Sequence, residues 1–143
     1  MTSIVLDASV AAKWLLPSRN EPFAAEAARV FDRYVAGEIG IVVPDLFWAE
    51  LANVLWKSAR LGRCTEPAAR LSLESILDRG FPTVPSNSLV SHAFDIAIAF
   101  GSSVYDAIYV ALAVTSNRRF VTADEKLARA MAPRFPVKHL AAF

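Results

Sequence analysis

Short β-branched runs recur along this chain at intervals too long for hairpins. Ile4-Val5-Leu6, Ile41-Val42-Val43, Thr83-Val84, Phe120-Val121-Thr122 and the segment around Val137 are each strand-sized, and stretches of helical periodicity separate them. Strands connected through helices return in the same direction. The alternation therefore predicts an α/β fold with a mainly parallel sheet of about five short strands flanked by helices.

Local signals bound the helices. The first long helix follows Asn20-Glu21-Pro22, has Phe23, Ala27, Val30, Phe31 and Tyr34 as its apolar stripe, and ends at Gly37. A second runs from Asp45, after Pro44, to Gly62, and a third from Thr65-Glu66-Pro67 to just before Gly80. Ser86 or Asn87 is placed to cap a helix ending at Gly101. Ser102 or Ser103 caps the next, which runs to about Ser116. A last helix begins near Asp124, and the segment from Pro136 to His139 reads as an edge strand.

Composition removes whole classes. With 55% hydrophobic and 20% charged residues, 143 residues suffice for one domain over 1–143 with a substantial core, and disorder is a poor fit. No window of about 18 residues is both apolar and uncharged, because Asp95 and Asp106 break the stretch from Ala93 to Val114 and Pro44, Asp45 and Glu50 break that from Ile39 to Trp56. No membrane association is expected. The single Cys64 excludes an internal disulfide or a thiolate zinc site, and Asp7 interrupts what would otherwise be an apolar leader; both fit a cytoplasmic protein. Lys plus Arg number 15 and Asp plus Glu 14, so no basic tail advertises nucleic acid. Burying four of the acids in a site would leave ten against those 15, and net charge does not exclude an RNA substrate.

Four acids stand in apolar company. Asp7 is the only charged side chain in residues 1–12, and Asp106 the only one between Asp95 and Arg118. Glu50 stands alone between Asp45 and Lys57, and Asp124 follows the fourth strand run. A carboxylate in a dry interior is costly unless a cation compensates it, and no Lys or Arg lies within one helical turn of Asp106. Parallel strands end on one edge, which places Asp7 and Asp124 together there; Asp106 joins them if its helix begins at that edge. Asn53 shares a helical face with Glu50 and is placed to orient it.

Each acid also has an ordinary reading. Asp7 and Asp124 are placed as N-caps, Ser103-Val104-Tyr105-Asp106 matches a capping box, and Glu50 has Lys57 two turns on. Caps account for these residues singly, but not for all four falling at strand ends and helix starts. Converging carboxylates repel unless a divalent ion neutralises them, and hard oxygen donors select Mg²⁺ or Mn²⁺. Two such ions about 4 Å apart suit in-line displacement at a phosphodiester.

These residues resemble a known family. The strand ending in Asp7-Ala8-Ser9, the helix Trp48-Ala49-Glu50-Leu51-Ala52-Asn53, the run Tyr105-Asp106-Ala107-Ile108-Tyr109-Val110-Ala111-Leu112-Ala113 and the segment Phe120-Val121-Thr122-Ala123-Asp124-Glu125-Lys126-Leu127 are similar, in order and spacing, to the motifs of PIN-domain ribonucleases of the VapC toxin group. The resemblance covers the whole chain. It implies a Rossmann-like sheet with an acidic site at its carboxyl edge and Mg²⁺- or Mn²⁺-dependent endonucleolytic cleavage of RNA. It also implies neutralisation by a VapB-like antitoxin, and a homodimer. Asp7, Glu50, Asp106 and Asp124 match the acidic positions, Thr122 the small hydroxyl residue before the last acid, and Asn53 an asparagine after the glutamate. Ser9 joins them as a residue supporting Asp7, while Asp45 is taken as a helix cap and Asp95 as a helix-surface charge. Lys13, Arg118 and Arg119 lie near the segments that carry the acids and are candidates for phosphate contact, but exposed lysines and arginines are usually just solvated, so no substrate-binding residue is assigned.

Other chemistries fit less well. A phosphoaspartate phosphatase of the haloacid dehalogenase type needs a second Asp where Ser9 stands, and a receiver domain needs an acidic pair there. His92 and His139 are read as surface or partly buried histidines and Cys64 as a loop residue, leaving no nucleophilic triad. A non-catalytic PIN-fold module that binds RNA or protein is the alternative from another class; four clustered acids opposing a phosphate backbone argue against it.

Overall fold

The structure, a computed structural model, describes residues 2–17 and 21–143; Asn20, expected before the first long helix, lies outside them. The elements are β1 (Thr2–Leu6), α1 (Ala8–Leu15), α2 (Ala24–Val35), β2 (Ile39–Pro44), α3 (Leu46–Arg60), α4 (Glu66–Leu77), β3 (Thr83–Val84), α5 (Val90–Phe100), α6 (Val104–Ser116), β4 (Arg119–Thr122), α7 (Glu125–Met131) and β5 (Val137–His139). All five strand runs form strands.

Residues 8–15, for which no element is predicted from the sequence, form a helix that starts directly from Asp7. Two local expectations are corrected. Ser86 and Asn87 do not cap α5; they form a 3₁₀ turn, Ser86–Ser88, and the helix starts after Leu89. Asp45 occupies the N-cap position of α3 without capping it, because its carboxylate accepts instead from the Ser86 hydroxyl.

The strands form one sheet in the order β3-β2-β1-β4-β5, every pair parallel. β1 is central: Ile4, Val5 and Leu6 are fully buried, with Val5 opposite Val42 on one side and Phe120 on the other. The chain leaves β1 through α1 and α2 toward β2, whereas β4 lies on the opposite side of β1. Connections diverging from neighbouring strands leave a crevice at their carboxyl ends, here between β1 and β4.

Helix α6 fits its sequence closely. Residues 107–113 are all buried, as a helix apolar on most faces requires. Its start is set by Gly101, which closes α5 at φ 71° and lets the chain bend through 115° into α6. A side chain at Gly101 would meet open space, so the need for glycine is conformational. No single helix among the described residues is long and apolar enough to cross a membrane.

Candidate active site

Asp7 is built into the sheet edge. Its amide donates to the Val121 carbonyl (3.0 Å), carrying the β1–β4 pairing one residue past the strand, and its carbonyl accepts from Val10 as α1 begins. The carboxylate does not cap that helix. Its Oδ2 instead accepts from Thr122 Oγ1 (2.7 Å) and from Ser9 Oγ (2.9 Å). Both hydroxyls also accept a backbone amide from the turn after β4: Asp124 N–H on Thr122 (3.0 Å) and Ala123 N–H on Ser9 (3.1 Å). Each hydroxyl thereby uses its donor and an acceptor, which satisfies Thr122 although it is completely buried.

The other acids arrive from three helices. Asp124 caps α7, its Oδ1 accepting from Leu127 N–H (3.0 Å). Asp106 lies in the first turn of α6, where Ser103 Oγ accepts its amide (3.1 Å); the reciprocal bond of a capping box, from the Asp106 carboxylate to the Ser103 amide, is not formed. Glu50 lies in the second turn of α3, and its Oε1 accepts from the Tyr109 hydroxyl of α6 (2.7 Å).

Electrostatically the four form one group. Burial, followed by the charge of Asp106, pushes the Asp7 carboxyl up, against the pull of the Thr122 and Ser9 hydroxyls. Burial likewise raises Asp106, with Asp124 adding to it. Glu50 is raised to about 6 by burial and by the charges of Asp7 and Asp106, opposed by the Tyr109 bond. Among the described residues no cation pairs with them: the ion pairs are Lys13–Glu21 (2.9 Å) and Arg33–Glu38 (3.5 Å). The start of α6 contributes only the partial positive charge of a helix N-terminus. Among the described residues no three acids, histidines or cysteines already stand at the spacing that holds an ion. The donors are nonetheless all carboxylate oxygens, mutually repelling and with no counter-charge among the described residues. Their chemistry fits a hard divalent cation.

The chain matches the family model described as PIN domain over residues 4–132. It belongs to the PIN-domain family. Its similarity to Ribonuclease VapC3 of Pyrobaculum aerophilum is 32% identity over 127 residues, covering 87% of this chain and 92% of that protein. Among solved structures, this PIN domain superposes on PAE2754 of Pyrobaculum aerophilum with a TM-score of 0.71 at 24% identity, covering 99% of this chain and 85% of the other. It superposes on a chain of a toxin–antitoxin complex from Klebsiella pneumoniae with a TM-score of 0.62 at 14% identity, covering 96% and 97%. The last two likenesses speak to the fold, an all-parallel five-stranded sheet with helices around it.

The cations of this PIN domain are not where the sequence suggested. Arg118 precedes β4 and Arg119 opens it, at the amino edge of the sheet. At about 3.3 Å per extended residue that is on the order of 15 Å from Asp124, so a parallel strand separates these arginines from the acids. Lys13 is nearer the acidic edge, but its side chain is only 8% exposed and its ammonium is paired with Glu21. Asn53 is exposed on α3 and makes no hydrogen bond to Glu50; Tyr109 takes that place. Lys126 and Arg129, which the sequence reading left aside, line the groove beside Asp124 with Phe23 and Lys13. Lys126 also borders a cleft of about 310 Å³ that contains Asp106 and Asp124.

Proposed function

We propose that this PIN domain is a VapC-type toxin, an endoribonuclease that depends on Mg²⁺ or Mn²⁺ and is neutralised by a VapB-like antitoxin. The observation that carries the proposal is the convergence of Asp7, Glu50, Asp106 and Asp124 at the crevice between β1 and β4 with no cation of the described residues paired to them. The relative named Ribonuclease VapC3 supports the reaction class, and the likeness to a chain of a toxin–antitoxin complex supports the protein partner.

Asp7, Glu50, Asp106 and Asp124 are the residues that would hold the cation. When bound, it supplies the positive charge and the Lewis acidity that phosphodiester hydrolysis needs. The chain's own residues do the positioning. Thr122 and Ser9 fix Asp7 and tie the Asp124 turn to it, so two acids from neighbouring strands move as one unit. Lys126 and Arg129 offset the acidic field for a polyanionic strand and take phosphates flanking the cut. The exposed apolar row Val90, Phe94 and Ile98 along α5 supports self-association as a homodimer, in a cytoplasmic setting.

The test is incubation of a structured RNA with the purified protein in Mg²⁺ or Mn²⁺, against EDTA and Asp7→Asn controls, with end-group analysis. Internal cuts leaving 5′-phosphate and 3′-hydroxyl ends, lost in both controls, are expected. Products ending in 2′,3′-cyclic phosphate contradict hydrolysis by an activated water. Absence of cleavage together with absence of metal-induced stabilisation would make this fold a binding module.

A further inference from the structure

We propose that Tyr109 is a positioning residue for Glu50, holding that carboxylate at the acidic edge through its hydroxyl; this rests on the metal-dependent reading above. The need for such a residue follows from where Glu50 sits. Asp7 and Asp124 are attached to strand ends and Asp106 to a helix start, each within a residue or two of backbone that the sheet or a cap fixes. Glu50 lies in the interior of a fifteen-residue helix and reaches the group only through a flexible side chain. Its own helix supplies no partner, since Asn53 is exposed and unbonded to it and Lys57 forms no ion pair with it. An unheld glutamate at such a place retains several rotamers, and fixing them costs entropy whenever a ligand binds.

Tyr109 has the opposite character. It is 1% exposed, and its ring stacks on Phe120 with centroids 5.1 Å apart and planes 15° from parallel. Phe120 is itself fully buried in β4 and in register with Val5 of β1. The phenol is thus anchored to the same two strands that carry Asp7 and Asp124. Its hydroxyl meets Glu50 Oε1 at 2.7 Å, across 59 residues of sequence. A phenol hydroxyl has one proton to give, and here it gives it to the carboxylate, which can only accept. Asp106 stands three residues earlier on the same helix, so one face of α6 presents one acid directly and holds a second from a distance.

A buried tyrosine hydroxyl also needs a partner for stability alone. The two roles separate in metal binding. Mn²⁺ affinity, followed by the paramagnetic signal of the free ion, is measured for wild type, Tyr109→Phe, Glu50→Gln and the double variant, with melting temperature in EDTA as the control for folding. Tyr109→Phe keeps the ring and its stack, and is expected to weaken Mn²⁺ binding by about tenfold, the usual lower bound for losing a group that orients a ligand. In the Glu50→Gln background the same change is expected to do nothing further. Glu50→Asp, which leaves the core untouched and withdraws the carboxylate from the hydroxyl, is expected to make Tyr109→Phe similarly silent.

Unchanged affinity in Tyr109→Phe, with a lowered melting temperature, overturns the proposal and leaves the metal-dependent reading standing. An equal loss in the presence and absence of Glu50 also overturns it, because Tyr109 then acts elsewhere. Folded wild type that binds no Mn²⁺ overturns both.

Discussion

Thr122 Oγ1 lies 2.7 Å from Asp7 Oδ2 and donates to it, while the same oxygen receives the amide of Asp124 from 3.0 Å. One fully buried hydroxyl thus joins the acid after β1 to the acid after β4. Replacing Thr122 by Val keeps the shape and removes both bonds. The expected cost is about 1–3 kcal/mol of stability, since the Asp124 amide loses its partner. Metal affinity should fall by roughly 10–100-fold. Thr122→Ser, which restores the hydroxyl, should recover most of the affinity. Denaturant unfolding and Mn²⁺ titration of the three proteins check this.

Charge removal has the opposite sign. Asp7→Asn or Asp106→Asn should lower RNA cleavage by at least about a hundredfold while leaving the metal-free fold as stable as wild type or more so, because each deletes a repelling charge. Mg²⁺ should raise the melting temperature of wild type and hardly move that of the double variant. Thermal melts in EDTA and in Mg²⁺ decide it. If either single variant unfolds in EDTA, the carboxylate is structural instead.

The pH dependence of the metal-free protein follows from the same repulsion. Folding raises Glu50 from 4.5 to about 6 and moves Asp7 and Asp106 upward too, so the folded state favours their protonated forms. The resulting stabilisation is complete below the unfolded value and is lost as pH rises through the folded one. In EDTA, stability should therefore decline between about pH 4.5 and 7, with Glu50 contributing at most about 2 kcal/mol. Melting temperatures across that range should fall less steeply for Glu50→Gln than for wild type.

Phosphate contacts are read from salt dependence. In the cleavage-deficient Asp7→Asn background, Lys126→Ala should reduce the slope of log affinity against log salt for single-stranded RNA by about 0.7, the value for one phosphate contact. Arg119→Ala, at the other edge of the sheet, should leave the slope unchanged. The reverse pattern would place the RNA along the amino edge and away from the acids.

What the sequence disclosed tracks how local each signal is. The strand runs, the Thr65 and Ser103 caps and the isolation of four acids among apolar residues are written in neighbouring positions, and each appears in the fold. Thr122 was named through the family resemblance and not from its neighbours, since its bond to Asp7 spans 115 residues, whereas Ser9 lies two residues from the carboxylate it touches. Helix α1 was missed because it is short and starts from Asp7 without punctuation. Asn53 was named as the partner of Glu50, and Tyr109 was not considered, because helical spacing shows which residues share a face but not which face meets another helix. A signal for Tyr109 existed: it stands three residues after Asp106 in a run otherwise without hydrogen-bonding groups, and a buried phenol must find an acceptor. Arg118 and Arg119 misled by being close in sequence to Asp124. A strand of four residues is enough to carry neighbours in the chain to opposite sides of the molecule.

The sheet order also governs when the site can exist during synthesis. Asp7, Glu50 and Asp106 leave the ribosome before β4, yet the crevice that gathers them has β4 as one wall, and the hydroxyl fixing Asp7 comes 115 residues after it. A growing chain carries Asp7 and Glu50 through most of that interval without the wall that would assemble them. The proposed activity would thus be withheld from the translating ribosome until β4 has emerged and docked.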